Sequence, residues 1–560
     1  MRGFACQAYR KALLGGAFSL LAWGDALPSG PGFGSRSSLP EPDFQNLRPA
    51  PAMILPPVPP PESSRLASGP VVLLQEVRFE GNQVFSDAQL AAVVAPDLGR
   101  TLTAEDLQAI RHRLTRFYID HGYISSGVVL PDQELVDGLV HFRVIEGKIS
   151  GVQVSGHRRL QSRFIEQGLL PDPAEVLNIQ KLQDRVLLLH QDPAIERVLL
   201  EVVPGLRQGE ASLSAEVTEA NPWHWQIEAN NYRSPDVGSE QGVLTGGFSN
   251  LTGHADALQV AYAHSQGLDD VSADYDFPLG SRTLAVTLAG EYIDARVISP
   301  AFKKLDIESQ SRRFNVGLRY FPVRRPDIEF KLGLKLEWAD SRVSQSNEPF
   351  AFPDSGSSDN GNSSVAAVRF TQEWSSRSPD QVLAARSIFS LGLDAFGSTI
   401  RSHGPDSRFL SWMGELQWAW RFGENRRYQQ IARAMARFSD DTLLPLERFS
   451  LAGPNTVRGY REGLLVRDDG WLVSLEFRAP LTSAENGWQS LQVAPFIDLG
   501  QTWNKSESHE SLDSAGVGLR WQPTEQWQAN LYYGVPLGDI RHPTNTLQDH
   551  GVLFQVSNRF

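Results

Sequence analysis

The stretch GPNTVRGYREG, Gly453 to Gly463, carries two arginines and a tyrosine between glycines and has almost no apolar face. It is not a core strand. An arginine held on a Gly-rich turn offers a planar fork of donors, and the partner that suits it is a carboxylate taking two parallel hydrogen bonds. VAPFIDLG, Val493–Gly500, supplies one. Leu491, Val493, Pro495, Ile497 and Leu499 alternate onto one face, which leaves Phe496, Asp498 and Gly500 on the other. Arg458 paired with Asp498 fixes the loop against that face, with Gly500 leaving room beside the carboxylate. The alternative is an exposed loop arginine and a solvated wall carboxylate. In a wet setting the pair adds little to fold stability, and its value lies in positioning a plug or gate. Other chemistry finds no support. There is no G-x-S-x-G, no HExxH and no cysteine cluster, and Asp269–Asp270 and Asp440–Asp441 are expected in polar loops as solvated pairs. No enzyme, metal or cofactor is expected.

The elements around these residues alternate with period two. In IEFKLGLKLEW, Ile328–Trp338, the residues Ile328, Phe330, Leu332, Leu334, Leu336 and Trp338 share one face, and charged residues and Gly333 share the other. LSWMGELQWAWRF, Leu410–Phe422, repeats the pattern with Trp412, Leu416, Trp418, Trp420 and Phe422. One oily and one charged face suit a strand between two different solvents. From Trp223 to Phe560 sixteen such segments occur, near 223–231, 241–249, 255–264, 271–277, 283–292, 312–321, 327–338, 365–374, 386–396, 408–422, 429–438, 472–479, 490–499, 514–521, 526–534 and 551–560. Strands in lipid must pair every backbone group, so they close into a barrel, predicted here as 16-stranded and antiparallel over residues 221–560. A soluble sandwich or propeller would not need so many outward aromatics. GPNTVRGYREG falls after the eleventh strand. Counted from a periplasmic start, that connection is extracellular and long enough to fold back into the lumen. The ending HGVLFQVSNRF places Val552, Phe554, Val556 and Phe560 on one face, with an aromatic last residue of the kind that bacterial outer-membrane barrels use as an assembly signal.

Ahead of the barrel, residues 71–147 and 148–219 each read as β-α-α-β-β, an internal repeat of about 75 residues. In the first, Val71–Asn82 is a strand, Ser86 caps a helix to Ala95, and Thr103 with Asp106 starts a second helix that Gly122 ends. Strands Ile124–Val129 and Leu139–Ile145 follow. In the second, strand Ile149–Ser155 precedes helices at Leu160–Leu169 and Ile179–His190, then strands Ile195–Val203 and Ala211–Val217. Residues 27–70 are rich in Pro, Ser and Gly and read as an extended linker. Residues 1–26 read as a signal peptide, with Arg2, Arg10 and Lys11 before the apolar run Ala12–Trp23. The single cysteine, Cys6, would leave with it, so no disulfide is expected.

Bulk properties agree. The 560 residues carry 52 basic and 65 acidic side chains, a net charge of -13 that gives no nucleic-acid signature. The mean hydropathy is -0.28, and no apolar run after the N-terminus is long enough for a helical span.

The two α/β repeats, VRGY (Val457, Arg458, Gly459, Tyr460), F-x-D-x-G (Phe496–Gly500) and the terminal Phe560 together resemble the two-partner secretion transporters, the TpsB family of haemolysin and filamentous-adhesin exporters. YDFPLG, Tyr275–Gly280, is similar to a strand-end element of that family. The resemblance covers residues 71–560. It implies two periplasmic POTRA domains, which bind an unfolded TpsA-type exoprotein by strand addition, and a porin-like barrel channel that exports it, with activation of the cargo as a further role. It places Arg458 on the tip of the sixth extracellular loop, paired with Asp498. It implies an outer-membrane monomer in contact with lipid, assembled by the barrel assembly machinery, without ATP or cofactor. Family members often carry an N-terminal plug helix, but Pro28, Pro31, Pro40, Pro42, Pro49 and Pro51 disfavour one here. The alternative function is outer-membrane protein assembly, as in the BAM-type relatives. A passive porin would need no periplasmic antechamber.

Overall fold

The computed structural model describes residues 39, 53–54, 72–134, 137–170, 175–205, 207–280, 283–351, 360–481, 491–505, 507–538 and 546–560. The expected signal peptide lies outside the described residues, as does the Pro-rich segment apart from Leu39, Met53 and Ile54. Two compact units form, one holding the α/β repeats and one the barrel.

The α/β unit begins with β1 (Met53–Ile54). Its first repeat comprises β2 (Val72–Leu73), β3 (Glu76–Glu80), α1 (Asp87–Val94), β4 (Thr101–Leu102), α2 (Ala104–Asp120), β5 (Gly127–Val129) and β6 (Leu139–Ile145). Ser86 with Gln89 and Thr103 with Asp106 close capping boxes, which satisfy the free amides at both helix starts. Leu107, Ile110 and Leu114 face the core with Tyr118. The second repeat comprises β7 (Lys148–Ser155), α3 (Ser162–Leu169), α4 (Ile179–His190), β8 (Ile195–Pro204) and β9 (Glu210–Glu219). In each, the last strand lies centrally: β6 runs parallel to β3 and antiparallel to β5, and β9 parallel to β7 and antiparallel to β8.

The repeats share one local device. Gly81 and Gly156 both have positive φ, and a Cβ there would lie 2.4 Å from Val144 O and 2.5 Å from Val217 O, so the turn admits only glycine at that approach. Two residues past those valines stand Glu146 and Glu219. Glu146 accepts from the amides of Gln83 and Val84, both at 2.8 Å. Glu219 accepts from Arg158, Arg159 and Leu160 at 2.6, 2.7 and 2.8 Å. Burial raises the Glu219 carboxyl, but the three amides outweigh it and hold it below the ordinary carboxylate value.

Three local expectations are corrected. Val71–Asn82 is not one strand, because Leu74 is fully buried and its backbone turns to bond Arg100 O and Gly99 N; β2 therefore pairs with β4, away from the main sheet. The strand expected from Ile124 starts only at Gly127, after a turn closed by Ser126 N on Tyr123 O. Within the Pro-rich linker, Met53 and Ile54 pair parallel with Leu200 and Glu201, adding a strand to the β8 edge. Flanking Pro51 and Pro56 lack the donors needed to lengthen it.

The second unit contains β10 (Trp223–Asn230), β11 (Gln241–Ser249), β12 (Ala257–Ser265), β13 (Leu268–Pro278), β14 (Leu284–Arg296), β15 (Ile307–Arg324) and β16 (Ile328–Gln345). It continues with β17 (Glu348–Pro349), β18 (Asn362–Arg377), β19 (Gln381–Leu393), β20 (Leu410–Phe422), β21 (Tyr428–Ser439), β22 (Phe449–Leu451) and β23 (Leu465–Arg467). The last are β24 (Asp469–Pro480), β25 (Gln492–Trp503), β26 (Glu510–Trp521), β27 (Trp527–Pro536) and β28 (Val552–Arg559). Short β17 and the β22–β23 ribbon lie in loops. The other sixteen form a closed antiparallel barrel, as the alternation predicts. Trp223 and Ile227 are each 52% exposed on the lipid face, whereas inward Glu228 is 3% exposed. Across the inner wall, Arg386 reaches Glu373 and Glu415 at 3.2 and 3.4 Å. Asp269–Asp270 is not a solvated loop pair: both lie on β13, and strand parity turns Asp270 inward, where it is buried against Arg233 at 2.6 Å. β15, β16 and β18 extend beyond the predicted segments, where outward positions such as Glu308, Gln310 and Arg342 leave no oily face to read. At the closing seam, β10 and β28 pair over five residues, against eight between β10 and β11. The backbones of Phe560 and Trp225 exchange two more hydrogen bonds, of 2.8 and 3.0 Å, and the Phe560 side chain is exposed.

Candidate functional site

The connection between β21 and β24, residues 440–468, is anchored at its base by Ser439 N on Asp469 Oδ1 at 2.6 Å. The β22–β23 ribbon ties its two limbs together. The Gly-rich tip is buried inside the barrel unit, where Val457 and Tyr460 are both 0% exposed and pack with Phe449, Leu451, Leu472 and Leu512. The Tyr460 hydroxyl donates to Asp513 O at 3.0 Å.

Arg458 meets Asp498 through both ends of its fork. Nε donates to Oδ2 at 2.8 Å and Nη2 to Oδ1 at 2.9 Å, while the Arg458 amide also donates to Oδ2 at 3.0 Å. Nη1 bonds Glu476, and Nη2 reaches Ser474 Oγ at 3.2 Å. Ser474 in turn donates to Asp498 Oδ1 at 2.7 Å. The guanidinium carbon lies 3.6 Å from the centroid of the Phe496 ring, a cation–π stack, with the Tyr532 ring at 5.0 Å. Arg458 is 7% exposed and Asp498 is 0%. The pair is therefore enclosed rather than wet, which corrects the low energetic value expected of it.

Two glycines admit this docking. Gly459 has φ +93°, and a Cβ there would lie 3.0 Å from the Gly534 backbone on β27. A Cβ at Gly500 would lie 2.7 Å from Leu451 and 3.1 Å from Val457, so the glycine of F-x-D-x-G leaves room for the loop's apolar residues. Phe496, Asp498 and Gly500 thus meet Val457, Arg458 and Leu451.

Several contacts escape the sequence reading. Glu476 faces inward by the same parity as Asp498, since Ser474 pairs with Asp498 and Glu476 with Phe496 in the β24–β25 register, but nothing marks it among many inner-wall charges. On another sector, Glu447 accepts from Arg369 at 2.6 Å and Arg437 at 3.3 Å. Arg461 bonds Asp549, on the connection before β28. A lumenal cavity of about 210 Å³ beside the tip is lined by Arg433, Arg458, Arg478, Arg520, Glu415 and Glu476, and by Leu39. No plug helix is expected from the Pro-rich segment, yet buried Leu39 lines this lumenal cavity.

Residues 209–521 match the family described as haemolysin secretion/activation protein ShlB/FhaC/HecB. The chain belongs to this family. Residues 72–147, the first α/β repeat, match the ShlB-type POTRA domain. The haem/hemopexin transporter protein HuxB of Haemophilus influenzae is 21% identical over 501 residues, covering 84% of each chain. The outer membrane transporter CdiB of Escherichia coli is 23% identical over 486 residues, covering 83% of this chain and 77% of the relative. Among solved structures, CdiB from Escherichia coli aligns with TM-score 0.68 and 20% identity over 90% of this chain and 93% of the other. BamA from Haemophilus ducreyi, lacking POTRA domains 1–3, aligns with TM-score 0.54 and 14% identity over 87% and 100%. This family member is a two-partner secretion transporter of the outer membrane, with its POTRA region in the periplasm.

Proposed function

We propose that this transporter exports one unfolded TpsA-type exoprotein, received by the POTRA domains and passed through the barrel when the sixth extracellular loop leaves the lumen. Residues 71–147 and 148–219 serve as the two POTRA domains and 221–560 as the channel. The observation that carries this reading is the enclosed Arg458–Asp498 pair. A loop whose tip is held in the lumen by an enclosed bidentate ion pair, in a channel whose cargo must pass, is a gate held shut by a releasable contact. Cargo adds as a strand, using main-chain hydrogen bonds and alternate side-chain pockets. In the second domain the β8 edge is held by Met53–Ile54, which leaves β7 as the uncovered edge among the described residues; in the first, β3 and β5 are the edges. Cargo activation on passage and assembly by the barrel machinery through Phe560 belong to the same reading, with the protein acting as a monomer.

The shared BamA fold favours a second reading, assembly of other outer-membrane proteins. Two POTRA-like repeats ahead of the barrel favour the exporter. Removing the protein from its host separates the two. The exporter reading expects one large secreted protein to vanish from the medium with the outer-membrane protein profile unchanged. A general loss of folded barrels would establish the assembler instead.

A further inference from the structure

The second arginine of GPNTVRGYREG has its own bidentate carboxylate, on a different part of the wall. Arg461 Nε donates to Asp549 Oδ1 at 2.8 Å and Nη2 to Oδ2 at 2.9 Å. Asp549 has a fully buried side chain, and that of Arg461 is 14% exposed. The next residue repeats the contact, with Glu462 N donating to Gln548 Oε1 at 2.9 Å. Asp549 and Gln548 lie on one short turn, three and four residues before β28 begins.

That turn is also bound to the other side of the seam. Gln548 is 0% exposed, and its amide donates to Arg233 O at 2.6 Å and to Asn231 O. Asn231 immediately follows β10. Its side-chain amide donates to Val552 O at 2.9 Å and accepts from Phe554 N at 2.8 Å, so it stitches β10 to β28 just past their five-residue ladder. The loop tip, the last strand and the first strand thus meet at one buried polar knot. The Arg461 guanidinium is a charged tie between that knot and the loop.

We propose that Arg461 and Asp549 form a second latch that couples the sixth loop to the closing seam, so that withdrawal of the loop loosens the β10–β28 pairing. Arg461 is a positioning residue: it acts through Asp549 and Gln548 on the seam. Arg458 holds the tip on the β24–β25 wall and lies 5.0 Å from the Tyr532 ring of β27; its hydrogen bonds go to β24 and β25 and not to the seam strands. The inference rests on the gating reading above, but its test uses no cargo, so its failure leaves that reading intact.

The test is hydrogen exchange on purified full-length protein in lipid nanodiscs, comparing the native chain with Arg461→Ala, Asp549→Asn, and the swap Arg461→Asp with Asp549→Arg. Heat-modifiable gel mobility first confirms that each barrel is folded, and Asp549→Asn keeps the side-chain shape should a larger change prevent folding. Losing a buried charge-assisted pair speeds exchange by about tenfold or more. The latch predicts that acceleration in β10 and β28 only, with β19 and β20 unchanged, and recovery in the charge swap. Native exchange at the seam in Asp549→Asn, or an equal rise in every strand, overturns it.

Discussion

Arg458 sits between two carboxylates in an enclosed site, and that sets the size of its effect. Removing it leaves Asp498, at 0% exposure, without a cation. Breaking a buried pair in this way costs about 3–5 kcal/mol, against about 0–1 kcal/mol for a surface pair. Arg458→Lys keeps the charge but cannot make two parallel bonds and stack on Phe496, so it should hold the loop weakly. Gly459 offers an independent check that changes no charge. Its φ of +93° and the Gly534 backbone at 3.0 Å from a Cβ mean that Gly459→Ala strains the docked tip. The added strain should be about 1 kcal/mol or more. Loop 440–468 in the folded barrel should then be cut faster by external protease, and cutting at the native rate would show that the tip tolerates a side chain. The Arg458–Asp498 match was readable because a strand's parity tells which carboxylate points inward. Asp549 was not, because it lies in an irregular connection with no period to give its direction.

The α/β repeats show what element-level reading recovers. Helix caps at Ser86 and Thr103 and the helix spanning Ile179–His190 follow from local rules, and the helices stand where those rules put them. The break at Leu74 is tertiary, since only the folded core shows that this residue must turn inward. The paired Glu146 and Glu219 devices are visible once the repeats are superposed. Glu219→Gln should weaken the turn at Arg158–Leu160, read as faster amide exchange there. The pH dependence has a definite sign. The folded-state pKa of Glu219 is lowered, so its stabilisation is complete above the ordinary carboxylate value of 4.5 and lost as pH falls through the lowered one. The difference between native and Glu219→Gln exchange should therefore close on acidification, and a difference that persists or grows would refute the assignment. In the barrel, alternation located every spanning strand but shortened β15, β16 and β18, whose outer ends turn isolated apolar residues such as Ile307 and Val343 inward and carry no outward oily face.

For the whole molecule, barrel architecture was legible because lipid imposes one rule on every strand. The place of Met53–Ile54 on the sheet of the second α/β repeat was not, since two residues between prolines carry no strand signal. Phe560 closes the seam by backbone bonds while its ring is exposed, which suits a side chain kept for recognition during assembly. Phe560→Ala should lower the folded, heat-modifiable fraction in the outer membrane, whereas an unchanged fraction would remove its assembly role. The central claim is that Arg458 gates export. It is tested most directly by secretion of the cognate exoprotein from cells carrying Arg458→Ala, with the surface level of the transporter measured in parallel. The gate predicts a normal surface level and collapsed secretion. Normal level with undiminished secretion would contradict it and reduce Arg458 to a structural tie of its loop.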